Sequence, residues 1–169
     1  TEFGNTSTLS GGTITNVGGT ASGAFGGWTW FDNTATLNGG SLRNRVSVGN
    51  PGYTAIKGGS SGSATIASTA ELGFDINGST NGFTLLYNGA DLTLASGSTL
   101  VLYLDPTATF SNETRSLIYR DSANAGSNIE GTFTNTLIKD LDGNTLSDVT
   151  IALDYTQGSA VTAPTGLFE

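Results

Sequence analysis

Four segments of this chain follow one template at nearly constant spacing. They are Thr8-Leu9-Ser10-Gly11-Gly12-Thr13-Ile14, Thr36-Leu37-Asn38-Gly39-Gly40-Ser41-Leu42, Thr65-Ile66-Ala67-Ser68-Thr69-Ala70-Glu71-Leu72 and Thr93-Leu94-Ala95-Ser96-Gly97-Ser98-Thr99-Leu100. Their anchors Leu9, Leu37, Ile66 and Leu94 lie 28, 29 and 28 residues apart. A repeat of about 20–50 residues marks an array in which each unit buries its apolar face only against its neighbours.

The units are made of strands. No window places apolar residues at helical spacing behind a capping residue. Short β-branched and aromatic runs recur instead, punctuated by Gly, Asn-Gly and Asp-Pro. Each repeat reads as three of them. The first is the Thr-Leu anchor, followed by a corner of small residues. The second is Thr13–Val17, Ser41–Val48, Glu71–Ile76 and Thr99–Leu104 in turn. The third is aromatic-led: Trp28–Phe31, Tyr53–Ile56 and Phe83–Tyr87. The longer stretch between Ile56 and Ile66 places a loop over 57–63.

Three strands per repeat predict an all-β, right-handed parallel β-solenoid of three to four coils, with the four anchors in one buried column. A β-sandwich or jelly roll is the alternative, since short strands with frequent turns also suit it. The repeat fades near residue 105. Residues 1–156 therefore read as one domain, with repeats over 8–105 and an antiparallel C-terminal cap over 106–156. Residues 157–169 read as an extended tail with an apolar tip at Leu167-Phe168.

Composition narrows the chemistry. The 169 residues include no Cys, no His and no Met, so thiolate chemistry, the commonest general base and the most oxidisable side chains are all missing. Such a chain suits an oxidising bacterial exterior. The opening Thr1-Glu2-Phe3 lacks an initiator Met, which fits processing or trimming. No apolar run approaches the roughly 20 residues that span a bilayer. Residues 1–70 carry a balance of +1 and residues 71–169 a balance of −9, which adds to the net −8. Nucleic acid is a poor partner for such a surface, because phosphate binding needs a basic footprint.

The phrases Leu37-Asn38-Gly39-Gly40-Ser41-Leu42, Val48-Gly49-Asn50 and Gly62-Ser63-Ala64-Thr65-Ile66 resemble the Gly/Thr/Asn-rich repeats of secreted bacterial proteins. Such repeats occur in autotransporter passenger domains and in PEP-CTERM-type surface proteins. The resemblance covers about residues 8–156. It implies a parallel β-helix displayed outside the cell as adhesin, matrix or surface-layer material.

Several residues invite a site. Trp28 and Trp30 alternate on one side of a strand, with Phe31 opposite, and form either core or a sugar-stacking platform. Arg43 and Arg45 share one side of theirs, as a solvated pair or a site for acidic polysaccharide. Asp140, Asp142, Asn144 and Asp148 offer oxygens at the spacing that opens a calcium loop, but Asp-Gly-Asn is equally hairpin-turn chemistry. Calcium is the one cofactor to weigh. Catalysis would need paired carboxylates, such as Asp75 with Asp91 or Asp105 on stacked coils. Thr13/Thr15 and Thr34/Thr36 form short threonine ranks of the kind an ice-binding array needs. The expected function is a non-catalytic structural or adhesive protein of the bacterial surface, with filament or matrix assembly as its extension. A carbohydrate-binding module or polysaccharide-active β-helix enzyme is the alternative. Expected partners are further copies of the chain or an extracellular polysaccharide.

Overall fold

A computed structural model describes residues 1–4, 6–20, 26–57, 62–78, 80–87, 89–109, 113–120, 127–149, 151–155 and 160–165. Their secondary structure is all strand and turn, without a helix. The strands form a β-solenoid of parallel sheets with three faces. Each circuit of the three faces is a rung.

The anchor face stacks Ser7–Leu9, Thr34–Leu37, Ser63–Ile66, Asp91–Leu94 and Ile129–Gly131 in parallel. The long face stacks Thr13–Val17, Gly40–Ser47, Ala70–Asn77, Thr99–Leu104 and Asn135–Asp140. The aromatic face stacks Glu2–Phe3, Trp28–Asp32, Tyr53–Lys57, Phe83–Tyr87 and Glu113–Arg120, then adds Ala160–Thr165 antiparallel. Two-residue strands Asn50–Pro51 and Thr80–Asn81 fold back antiparallel on the long face.

Alternation decides what points inward. Leu9, Leu37, Ile66 and Leu94 are direct ladder partners in one column, as the repeat predicts. The last three are buried, and Leu9 packs partly exposed at the first rung. Ile14, Leu42, Leu72 and Leu100 form a second inward column on the long face. Phe3 stacks on Phe31 at 5.2 Å, and Phe31, Ile56 and Leu86 extend the inward column of the aromatic face.

The C-terminal part differs from the expected layout. Residues 106–156 are not all cap: Glu113–Arg120, Ile129–Gly131 and Asn135–Asp140 pair parallel with the preceding rung and supply the fifth strand of every face. Parallel ladders continue wherever an open edge meets a matching run, and Leu137 and Ile138 give Asn135–Asp140 that match against Val101 and Leu102. The antiparallel closure comes partly from the expected tail, through Ala160–Thr165, and partly from the Lys139–Thr145 bridge. Between them, Leu146, Val149, Ile151, Leu153 and Tyr155 pack on the core. Residues 58–61 of the expected loop and the tip at 166–169 lie outside the described residues.

Candidate functional site

The inward columns hold a polar network that apolar pattern reading overlooks. Asn16 and Asn44 are ladder partners on the long face, and Thr29, Thr54 and Thr84 are partners on the aromatic face. All five are buried. Asn16 Nδ2 donates to Asn44 Oδ1 at 2.9 Å and to Thr54 Oγ1 at 3.2 Å. Thr29 Oγ1 donates to Asn16 Oδ1 at 2.7 Å, and Thr54 Oγ1 donates to Asn44 Oδ1 at 3.0 Å. Asn44 Nδ2 then donates to the Phe83 carbonyl at 2.8 Å. Each amide thus stitches its own rung to the next, satisfying groups whose burial would otherwise cost free energy. The signal was present: Asn16 and Asn44 sit two residues after Ile14 and Leu42, at the same spacing as the anchors.

On the outer side of the long face, Arg43 and Arg45 converge on one carboxylate. Arg43 Nε donates to Asp75 Oδ1 at 2.7 Å, and Arg45 Nε lies 3.4 Å from Asp75 Oδ2. Asp75 is almost fully covered, with 2% of its side chain exposed, while Arg45 keeps 40%. The Arg43 guanidinium also lies 3.4 Å from the centre of the Tyr103 ring and donates to the Leu141 carbonyl at 3.3 Å. Gly73 makes room for this stack, since a Cβ there would approach a Tyr103 ring carbon to 3.0 Å. Burial pushes the Tyr103 hydroxyl above the ordinary tyrosine pKa, against the pull of Arg43. Arg43 is thereby committed to holding rungs together, and Arg45 retains the more accessible guanidinium.

The other carboxylates considered for catalysis are separated. Asp91 lies on the anchor face and accepts from the Asn128 N–H at 2.8 Å. Asp105 accepts from the Thr107 N–H at 2.9 Å and its hydroxyl at 2.7 Å, which holds its pKa below the usual carboxylate value. Neither stacks on Asp75, whose neighbour in the next rung is Tyr103.

The candidate calcium loop is a closed turn. Asp140 Oδ1 accepts from the Asn144 N–H at 2.8 Å and Oδ2 from its side-chain amide at 2.7 Å. The Asn144 amide is the main cause of the lowered Asp140 pKa. Asp142, Asn144 and Asp148 are exposed. Among the described residues no three acidic side chains gather where one metal ion could be held.

Trp28 and Trp30 point outward. Thr29 takes the inward position between them because its hydroxyl serves Asn16. Trp28 is 37% exposed and meets Trp30 edge to face, with ring centres 5.7 Å apart and planes at 72°. Trp30 faces Tyr87 at 6.1 Å with a 57° tilt, and Ala55, its ladder neighbour, is fully covered. Trp30 Nε1 donates to Asp32 Oδ1 at 2.9 Å, the largest cause of the lowered Asp32 pKa. Lys57 Nζ lies 3.7 Å from Asp32 Oδ1 and 5.5 Å from the Trp30 ring centre. Sequence alternation paired the two tryptophans correctly. It left out Tyr87, Asp32 and Lys57, which arrive from the same strand's end or from later rungs.

The threonine ranks divide. Thr13 and Thr15 are followed on the long face by Ser41 and Arg43, so that rank ends at once. Thr8, Thr36, Thr65 and Thr93 form an unbroken outward column on the anchor face, followed by Glu130.

No protein-family model, curated protein or solved structure matches this chain. No helix among the described residues is long and apolar enough to cross a membrane.

Proposed function

We propose that the chain is a non-catalytic structural and adhesive module of a bacterial cell exterior, in keeping with the Gly/Thr/Asn-rich repeats it resembles. The observation that carries this reading is how the fold uses its carboxylates. Asp75 ties two arginines to the sheet, Asp91 fixes a corner, and Asp105 and Asp140 close turns. Asp32, Asp105 and Asp140 have pKa values lowered by these contacts. Such groups are weakened as bases and poorly matched to proton transfer near neutral pH. These side chains instead hold the strands and turns of the stacked rungs in place.

Filament or matrix assembly is the extension of this reading. It is favoured by the first-rung strands, which lie at the edges of their sheets, and opposed at the other end by the reversed strand Ala160–Thr165.

Beads coated with the chain test the adhesive role on bacterial layers and on matrix-coated glass, alongside a reducing-end assay on a polysaccharide panel. Retention above albumin-coated beads without new reducing ends is expected. Release of reducing ends or unsaturated sugars from any polymer overturns the reading.

A further inference from the structure

Two sets of rings lie on the outer side of the aromatic face, and they are arranged differently. Tyr53 and Phe83 stack at 5.2 Å with planes 9° apart, so each covers a face of the other. That pair is a rung-to-rung contact. Trp28, Trp30 and Tyr87 are mutually tilted, at 72° and 57°, so none of the three lies flat on another, and Trp28 keeps 37% exposure.

The rim of this second set is polar and nearly charge-balanced. Asp32 and Lys57 approach at 3.7 Å, and Glu2 reaches Asp32 from the adjoining strand. A matching ligand must offer a flat apolar face to the rings and neutral hydrogen-bonding groups at its edge. A polyanion finds no excess of positive charge here, because Asp32 and Glu2 offset Lys57 and the Thr1 ammonium, which donates to the Trp28 carbonyl at 2.8 Å. An acyl chain has nothing to offer Asp32 and Lys57. A pyranose ring meets both demands, with C–H bonds on its face and hydroxyls on its perimeter.

We propose that Trp28, Trp30 and Tyr87, edged by Asp32 and Lys57, form a binding site for a neutral polysaccharide. This rests on the adhesive reading above and names what the adhesive surface holds. The rings stack against sugar faces, while Asp32 accepts from hydroxyls and Lys57 donates to them. Because Trp30 and Tyr87 come from strands two rungs apart, the site exists only in the stacked solenoid.

Trp28 and Trp30 are the only tryptophans in the chain, so intrinsic fluorescence reports on this site alone. The full chain is titrated with a soluble β-glucan, a mannan and a xylan, and run in native gels containing each. At least one polymer is expected to shift the emission, protect it from acrylamide and retard the band. Trp28→Ala and Tyr87→Ala should each weaken retardation about tenfold, and Tyr87→Ala keeps both reporters. Thr93→Ala, on another face, should bind like the parent. No response to any neutral polymer from the folded chain, or retardation of both ring variants equal to the parent's, overturns the proposal. Retardation only by a charged polymer, or occupation of these rings by a protein partner instead, overturns it equally. Bead retention that persists without polysaccharide binding sinks this inference alone, whereas polymer cleavage sinks the adhesive reading beneath it.

Discussion

Followed along the solenoid axis, three inward columns change character. In the early rungs they read Asn16–Asn44, Thr29–Thr54–Thr84 and Ala35–Ala64. In the later rungs the same columns continue as Phe74–Leu102–Ile138, Ile118 and Leu92–Ile129. In these three columns one end thus carries small and hydrogen-bonded side chains and the other large apolar ones, while the Leu9 and Ile14 columns stay apolar throughout the early rungs. The forces differ accordingly. Fully burying a large apolar side chain contributes roughly 1.5–3 kcal/mol and is indifferent to direction. A net hydrogen bond contributes only about 0.5–1.5 kcal/mol, but an unmade one inside the protein costs about 1–3. The late rungs supply bulk stability, and the early rungs supply alignment.

The strongest challenge to that contrast is Phe74→Ala, at the position where the Asn column turns apolar. Phe74 is fully buried. A loss of about 3–5 kcal/mol is expected from urea unfolding, and a loss below about 1 kcal/mol would erase the distinction between the halves. Asn44→Ala attacks the other half. It removes the acceptor of Asn16 and Thr54 and the donor to the Phe83 carbonyl, for a loss of about 2–3 kcal/mol. Because the Asn44 side chain bonds within this network, hydrogen exchange should quicken mainly around Asn16, Thr29 and Thr54. Uniform acceleration over all five rungs would mean the halves open as one.

Arg43 spans both regions, from the second rung through Asp75 to the cap carbonyl of Leu141. Arg43→Ala should lower stability by about 2 kcal/mol, less than a fully broken buried pair because Arg45 still faces Asp75. Val48 offers a gain instead. It is 74% exposed and sits with φ 48°, followed by Gly49 at φ 77°, in the tight turn joining Gly40–Ser47 to Asn50–Pro51. That turn favours Asn before Gly and penalises a β-branched residue. Val48→Asn should raise the melting stability by about 1 kcal/mol without touching the core.

The smallest effect is alkaline. Tyr103 and Tyr155 both have pKa values raised by burial, and both belong to the late rungs and their cover. A raised pKa favours the neutral phenol in the folded state. Stability is therefore flat below the ordinary tyrosine value of 10.0 and falls as pH rises above it. Exchange measured across that range should loosen the late rungs first, and an early-rung response would contradict the assignment.

What the sequence revealed follows from which positions repeat in kind. The anchor column was legible because Leu9, Leu37, Ile66 and Leu94 keep both spacing and apolarity. The fifth rung was not, because its counterpart of Leu94 is Gly131, where an apolar template stops matching. Gly131 is required there, with φ 80° and a Cβ position already filled by the Leu94 carbonyl. The Asn–Thr network was hidden for a different reason: polar residues in strands usually face water, and only the stacked partner shows that these do not. Asp75 reads as half of a candidate carboxylate pair, because its arginines lie a full repeat upstream. The tryptophan surface was half visible, since alternation pairs Trp28 with Trp30 but cannot bring Tyr87 beside them.

The change of column identity also gives the rungs individual addresses. In a stack of interchangeable rungs, a folding chain can skip or repeat a level and still satisfy most contacts. Here a slip by one level sets Asn44 against Leu102 instead of Phe74 and deprives Thr84 of its amide neighbour. The column from Asn16 to Ile138 works as a counter, so a miscounted assembly carries buried, unanswered amides and is left open to correction.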